Sequence, residues 1–525
     1  MVRSSIRNPV EKREPKLRAL KIVLALAIIV YGWNFWGTSI YMLDEARNAG
    51  SAAEMIRRGD YAVPTFNNEF HDKPALQYFF MIAGYKMFGV GPFGARVFSV
   101  VMGILTVLSI FLFTSKVFDE KSALFASLVY IASLQMAVQF RLAVPDPYLL
   151  FCLTTAWFCF YLGYSKNNTR FLYAFYVLTG LGFLAKGPIA FALTGISILL
   201  FLVWRRDFSF KRLMELKLVP GAAISLAVGL PWYVASGIAT NWEWPKYFFF
   251  THNLDRYVNT FEGHGGFPFD VVLIAFAALL PASVLMPQAI TTAIKKRNES
   301  FYPFALSICI AVLGFFFFSK TLLPSYPAPC IAFLAILLGN YTAAGRPSVI
   351  SGVFALIICL AIPAAAYIAL EQDPLLSTLT DRWVIFLIAP VGAAIALYYI
   401  IKGNMNYAVY AWTGSFMVLL LMVFTFLLPQ VDARNPVALS KGIIDKSYSL
   451  AYYKRINSAF VFQNHKPIPK LETPEQLQLF SEQHEKVMII STRQDWEETN
   501  VQGFKVVFRS KDLFESPESI IVVKE

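Results

Sequence analysis

Long apolar runs separated by short polar loops recur along most of this chain. They occupy residues 20–41, 93–114, 121–139, 147–164, 171–185, 188–204, 214–235, 269–288, 301–318, 325–342, 349–369, 383–401 and 406–428. An apolar stretch of about 20 residues is what a helix needs to cross a bilayer. The pattern predicts an all-α polytopic domain of about thirteen membrane spans, residues 20–430, with Lys186-Gly187-Pro188 turning the chain at a membrane face. Composition agrees. Of 525 residues 57% are hydrophobic and 15% charged, against about one-quarter charged in soluble domains. The net charge of +12 is no sign of nucleic acid, because its cations sit between apolar runs, where they orient the chain. The five cysteines all fall inside apolar runs and read as small core residues, outside any zinc or disulfide framework.

Lysine and arginine set the orientation. Residues 1–19 form a basic segment, expected to be cytoplasmic, ahead of an uncleaved first span. Alternate loops carry Lys116 and Lys121, Lys166 and Arg170, Arg205 to Arg212, Lys295 to Arg297, Arg346 and Lys402. These loops are expected on the cytoplasmic side. Two long loops, about 42–92 and 236–268, then face outward. The first has small and apolar residues at helical spacing and an aromatic-rich stretch, LQYFFMIAGYKMF. Both stretches read as amphipathic helices along the interface. Residues 431–525 are richer in charge, with short β-like runs (SAFVFQ, KVMIIST, FKVVFRS, SIIVVKE) and one helical stretch, TPEQLQLFSEQHE. They predict a small α/β domain on the outer side.

Ionisable residues gather at the outer ends of the spans: Asp44-Glu45-Ala46-Arg47, His71-Asp72-Lys73, Asp146, Lys186, His252, Asp255-Arg256 and Lys320. Charges at a membrane boundary are costly unless paired or wet. Taken singly, each reads as a snorkelling cation or a helix cap. Together, on one face and of both signs, they read as one site. Lys73, Lys186, Arg256 and Lys320 suit a phosphate at headgroup depth. Asp44 and Asp146 offer a general base and a second carboxylate. Asp72 with His252 offers a pair for a divalent metal such as zinc, magnesium or manganese, a cofactor the sequence permits without demanding it. Glu45 and Asp60 are expected to be solvated. A secondary transporter is the competing class, but transporters place such groups near the midplane, often with internal repeats.

The segments LDEARNA, RRGDYAVPTFNNEFHDKPALQYF, RLAVPDPYLLF, GLGFLAKGPIA, LPWYV, THNLDRYV and FFSKTLLPSYPAP follow one another as in a known family. The chain resembles the aminoarabinose transferases that modify lipid A. More broadly it resembles the bacterial relatives of dolichyl-phosphate-mannose protein mannosyltransferases, integral-membrane enzymes of the C-type glycosyltransferase fold. The resemblance covers residues 20–430. It implies transfer of a sugar from a polyprenyl (undecaprenyl) phosphate carrier to a lipid or protein acceptor. The setting implied is the periplasmic face of the bacterial inner membrane. By position, it makes Asp44 the catalytic base, Arg47 the arginine that follows it, and Asp146 the second acidic residue. Lys73 matches the lysine that meets the carrier phosphate, and Arg256 and Lys320 fall near basic positions on the carrier side. Asp72 and His252 match a carboxylate and a histidine that hold a metal in some members. Two departures stand out. Asp72 replaces a usual Glu, and Phe70-His71 replaces a usual Tyr-Phe pair, which leaves the sugar open and keeps a protein O-mannosyltransferase-like activity as an alternative.

Overall fold

The computed structural model describes residues 17–254, 267–345, 348–445, 447–499, 501–513 and 517–524. Its first half runs through α1 (Leu17–Gly32), α2 (Leu43–Arg58), α3 (Leu76–Phe88), α4 (Pro92–Val117), α5 (Glu120–Ile131), α6 (Leu134–Gln139), α7 (Asp146–Lys166), α8 (Thr169–Lys186), α9 (Ile189–Trp204), α10 (Phe210–Glu215) and α11 (Leu218–Ala239). All thirteen apolar runs carry helix. Among the described residues, six helices are long and apolar enough to cross a membrane, or seven if the pair Asp270–Ala278 and Ala282–Lys295, bent by 112°, is one span.

The shorter helices have local causes. The run 121–139 breaks at Ser133, whose hydroxyl caps the next helix by accepting the Met136 N–H at 3.3 Å. The run 269–288 breaks beside Pro281, which has no N–H to continue a ladder. The first run also stops early, at Gly32 rather than residue 41. The chain then unwinds through Asn34, at a φ of 52°, and two buried arginines satisfy the freed carbonyls. Arg141 donates to the carbonyls of Val30, Tyr31 and Trp33. Arg96 donates to those of Phe35, Thr38 and Ser39. Backbone carbonyls at this depth have few other donors.

Next to this unwound segment stands α2. Its Ala46, Ala49, Ala52 and Met55 are fully buried. They share one apolar cluster with Tyr78, Met81 and Tyr85 of α3 and with Phe460, Val461 and Ile490 of the C-terminal region. The expected amphipathic helix is present as α2, and its apolar face is covered by protein. It is a packed layer between the helical bundle and the C-terminal α/β unit. A two-stranded hairpin, β1 (Thr65–Phe66) with β2 (Glu69–Phe70), links α2 to α3.

The C-terminal unit holds β3 (Ser449–Tyr453), β4 (Lys470–Leu471), β5 (Val487–Thr492), β6 (Lys505–Lys511) and β7 (Glu518–Lys524), in the order β4-β3-β5-β7-β6. The sheet is mixed: β4, β3 and β5 are parallel, while β7 runs antiparallel to β5 and β6. The stretch SAFVFQ is helix (Ser458–Asn464), not strand. Asn457 caps it by accepting the Ala459 N–H at 2.9 Å, and its Phe460 and Val461 face α2. The unit is also pinned by polar bonds. Leu513 N–H donates to the Tyr41 hydroxyl at 2.9 Å, and Asn67 exchanges bonds of 3.0 and 2.7 Å with the backbone of Ile468.

Candidate active site

Asp44 and Glu45 are neighbours with opposite fates. Both sit in the first turn of α2, where the helix dipole favours negative charge. Helical geometry then turns them to different sides. Glu45 is buried, and its carboxylate takes two bonds of 2.7 Å from Arg96 and one of 2.8 Å from the Ala143 N–H. The expectation of a solvated Glu45 is overturned. It is a structural anchor that ties α2 to α4 and to the turn leading into Asp146. The signal was a lone arginine inside the apolar run 93–114, which needs a partner. Asp60 is partly exposed and pairs with Arg58 at 2.6 Å.

Asp44 itself is exposed. Burial by its surroundings works to raise its pKa, Lys73 and Arg47 work to lower it, and Asp72 opposes them; the cations win, and the carboxyl is held below its usual range. The structure thus draws Asp44, Arg47, Asp72 and Lys73 into one electrostatic cluster. Within it the Lys73 ammonium donates to Asp72 at 2.6 Å, both groups being mostly buried.

Behind the cluster lies a polar network that sequence reasoning missed. The Asn48 side-chain N–H donates to the Asp44 carbonyl at 2.6 Å, which fixes the amide's orientation. Its oxygen accepts from His71 Nε2 at 3.2 Å, Gln77 Nε2 at 2.8 Å and the Tyr78 hydroxyl at 3.3 Å. His71 therefore carries its proton on Nε2, with Nδ1 3.4 Å from Asp72. Burial pushes the imidazole down to about 4, outweighing the attraction of Asp72. A group that protonates less readily when folded destabilises the fold as pH falls through its unfolded value. The expected loss between pH 6.5 and 4 is about 3 kcal/mol. A His71→Gln variant should show a flatter acid limb over that window in thermal unfolding of the detergent-solubilised protein. An unchanged limb would contradict the buried neutral imidazole.

The second outer loop joins here. Trp244 donates its indole N–H to the His71 carbonyl at 2.7 Å, and Trp232 donates to the Tyr61 carbonyl at 3.1 Å. Trp232, Tyr233, Trp244 and Phe248 pack as one aromatic group. Asp146 and Lys186 lie at the first turn of α7 and the last turn of α8, and they pair at 2.8 Å. Lys186 is thus a partner of a carboxylate as well as a candidate phosphate ligand. Lys320 is exposed beyond the helix Phe301–Phe317. Arg256 and the side chain of His252 lie outside the described residues.

Of the pair expected to hold a metal, only Asp72 is among the described side chains. Asp72 already faces the Lys73 ammonium, which a cation would have to displace. Among the described residues no three His, Cys, Asp or Glu converge as a ligand set.

Known proteins resemble this chain at both levels. A family model described as dolichyl-phosphate-mannose-protein mannosyltransferase matches residues 72–234. An undecaprenyl phosphate-α-4-amino-4-deoxy-L-arabinose arabinosyl transferase from Serratia proteamaculans is 28% identical over 80% of this chain and 79% of its own length. One of the same description from Pseudomonas fluorescens is 28% identical over 57% of this chain, which spans 55% of that relative's length. The crystal structure of ArnT from Cupriavidus metallidurans bound to undecaprenyl phosphate superposes with a TM-score of 0.79 at 20% identity, covering 96% of this chain and 97% of that one. This chain has the C-type glycosyltransferase fold of ArnT and resembles, in sequence, the undecaprenyl phosphate-aminoarabinose transferases.

Proposed function

We propose that this protein transfers a sugar, of the aminoarabinose or a related pentose class, from undecaprenyl phosphate to a lipid A-like acceptor. The reaction takes place at the periplasmic face of the inner membrane. The observation that carries this reading is the cluster of Asp44, Arg47, Asp72 and Lys73 in a chain whose structural relative binds undecaprenyl phosphate.

The donor enters from the membrane with its phosphate toward Lys73 and Arg47; by the family resemblance, Arg256 and Lys320 match basic positions on the carrier side. The acceptor oxygen approaches near Asp44. If it is a hydroxyl, its proton passes to the Asp44 carboxylate as the new bond to the anomeric carbon forms. If it is a phosphate, it is already ionised and Asp44 orients it. The carbon–oxygen bond to the carrier breaks on the opposite side, with inversion, and its electron pair leaves on undecaprenyl phosphate. The anionic leaving group needs no acid; fixed cations stabilise the charge that develops. Asp146, braced by Lys186, supplies the second carboxylate. Asp72 holds the Lys73 ammonium in place between donor visits.

Lys73→Ala should raise the donor KM about ten- to hundredfold, since a bond to a charged group contributes about 1.5–3 kcal/mol. The acceptor KM should change little. Equal effects on both substrates would remove Lys73 from the donor site.

The deciding experiment reconstitutes the purified protein in liposomes with undecaprenyl phosphate-aminoarabinose and lipid A. Mass spectrometry reads the gain of one sugar per modified phosphate. Absence of transfer by active-folded protein would sink the aminoarabinose assignment. The match of residues 72–234 to the mannosyltransferase model favours a second reading, a hexose passed to a protein. Envelope lipids and glycoproteins compared between deletion and parent strains would separate the two.

A further inference from the structure

A second feature lies at the opposite end of the bundle from the charge cluster. A cavity of about 400 Å³ opens between α7, α8, α9, α10 and α11. It runs along α9 from Phe191 to Leu202, about 16 Å at the helical rise. Its few polar wall groups are already satisfied within the protein. Thr179 and Thr194 donate to the carbonyls of Phe175 and Ala190, and Ser225 donates to that of Tyr176. The Tyr176 hydroxyl donates to the Leu216 carbonyl. Nothing in the wall asks for water, and such cavities stay dry or take hydrocarbon. Leu199, Phe208 and Leu226 line it and are exposed, so the cavity opens toward the surface.

Its rim is cationic. The segment from Arg205 to Lys217 carries five cations against two carboxylates. Asp207 and Glu215 are both taken by Arg212, at 3.0 and 2.9 Å. Arg205 donates to the Asn298 carbonyl. Arg206, Lys211 and Lys217 have no ion-pair partner among the described residues. A dry apolar slot beneath uncompensated cations at a span end matches a lipid with an anionic head.

We propose that this cavity binds one acyl chain of an anionic phospholipid from the leaflet opposite the charge cluster. Its headgroup phosphate is held by Arg206, Lys211 and Lys217. The occupant is a structural lipid, separate from the sugar carrier.

Gly195 supplies the test. It lines the cavity, and a Cβ there meets nothing within 4 Å, so Gly195→Trp fills the slot instead of clashing. The purified full-length protein is exchanged into phosphatidylglycerol or phosphatidylcholine and examined by native mass spectrometry. The wild type should retain phosphatidylglycerol about tenfold better. Gly195→Trp should lose the retained lipid. The surface variant Arg206→Gln/Lys211→Gln/Lys217→Gln, which leaves the wall intact, should retain the two lipids equally. Equal retention by the wild type, undiminished phosphatidylglycerol on Gly195→Trp, an unchanged preference in the charge variant, or a polyprenyl phosphate as the retained lipid would each overturn the proposal.

Discussion

An Arg96→Met variant is expected to lose about 3–5 kcal/mol of stability, because it strands the Glu45 carboxylate in a dry site without its countercharge. Methionine roughly fills the volume, so the loss is electrostatic and not a cavity effect. The same change removes the donor shared by the Phe35, Thr38 and Ser39 carbonyls, each of which then adds a desolvation cost of about 1–3 kcal/mol unless water reaches it. Adding Glu45→Gln should recover part of the deficit. The amide oxygen can still accept from Ala143, and no buried charge remains. Thermal unfolding in detergent reads all three variants. If Arg96→Met unfolded at the wild-type temperature, Glu45 would have to be neutral or hydrated, and the anchor between α2 and α4 would be lost as an explanation. If the double variant recovered nothing over the single, the stranded carbonyls rather than the unpaired carboxylate would dominate the loss.

That pair also marks where local pattern stops informing. Residues 93–114 read as a span because their apolar residues announce it, and α4 occupies them. What Arg96 does there depends on Glu45, 51 positions earlier, and a long-range pair leaves only the trace of a misplaced charge. The fate of Asp44 against Glu45 is equally hidden. Adjacent carboxylates look alike in sequence, and the rotation of α2 against α3 and α4 decides which is buried. SAFVFQ is a short apolar run rich in Phe and Val, as a strand would be, but an Asn cap and a partner surface on α2 make it helix. His71 illustrates a third limit. As a departure from a familiar pair it marked a difference in the site, but its neutrality follows from a burial that only the packed α2, hairpin and α3 create. The grouping of Asp44 with Lys73 was legible because both lie in the same outer loop, which starts from and returns to one membrane face.

The largest functional effect is expected at Asp44. Asp44→Asn keeps the size and the helix position of the side chain but removes its proton affinity and its charge. With a hydroxyl acceptor, transfer should fall by about 10²–10⁴-fold, the usual contribution of a positioned base. Donor binding should persist, since Lys73 and Arg47 remain and lose a competing carboxylate. A phosphate acceptor, already ionised, should be less sensitive, so the size of the loss reports the acceptor's chemistry. The pH profile carries an independent sign. Lys73 and Arg47 hold the Asp44 carboxyl below its usual range, so a rate that needs the carboxylate should stay level through weakly acidic pH. It should decline only below the ordinary carboxylate pKa. His71, pushed down to about 4 by burial, adds no inflection near neutrality. A wild-type limb centred near pH 6.5, or full transfer by Asp44→Asn, would require a base other than Asp44. The acceptor would then have to be placed away from Asp44, with the Asp146–Lys186 pair as the next group to test.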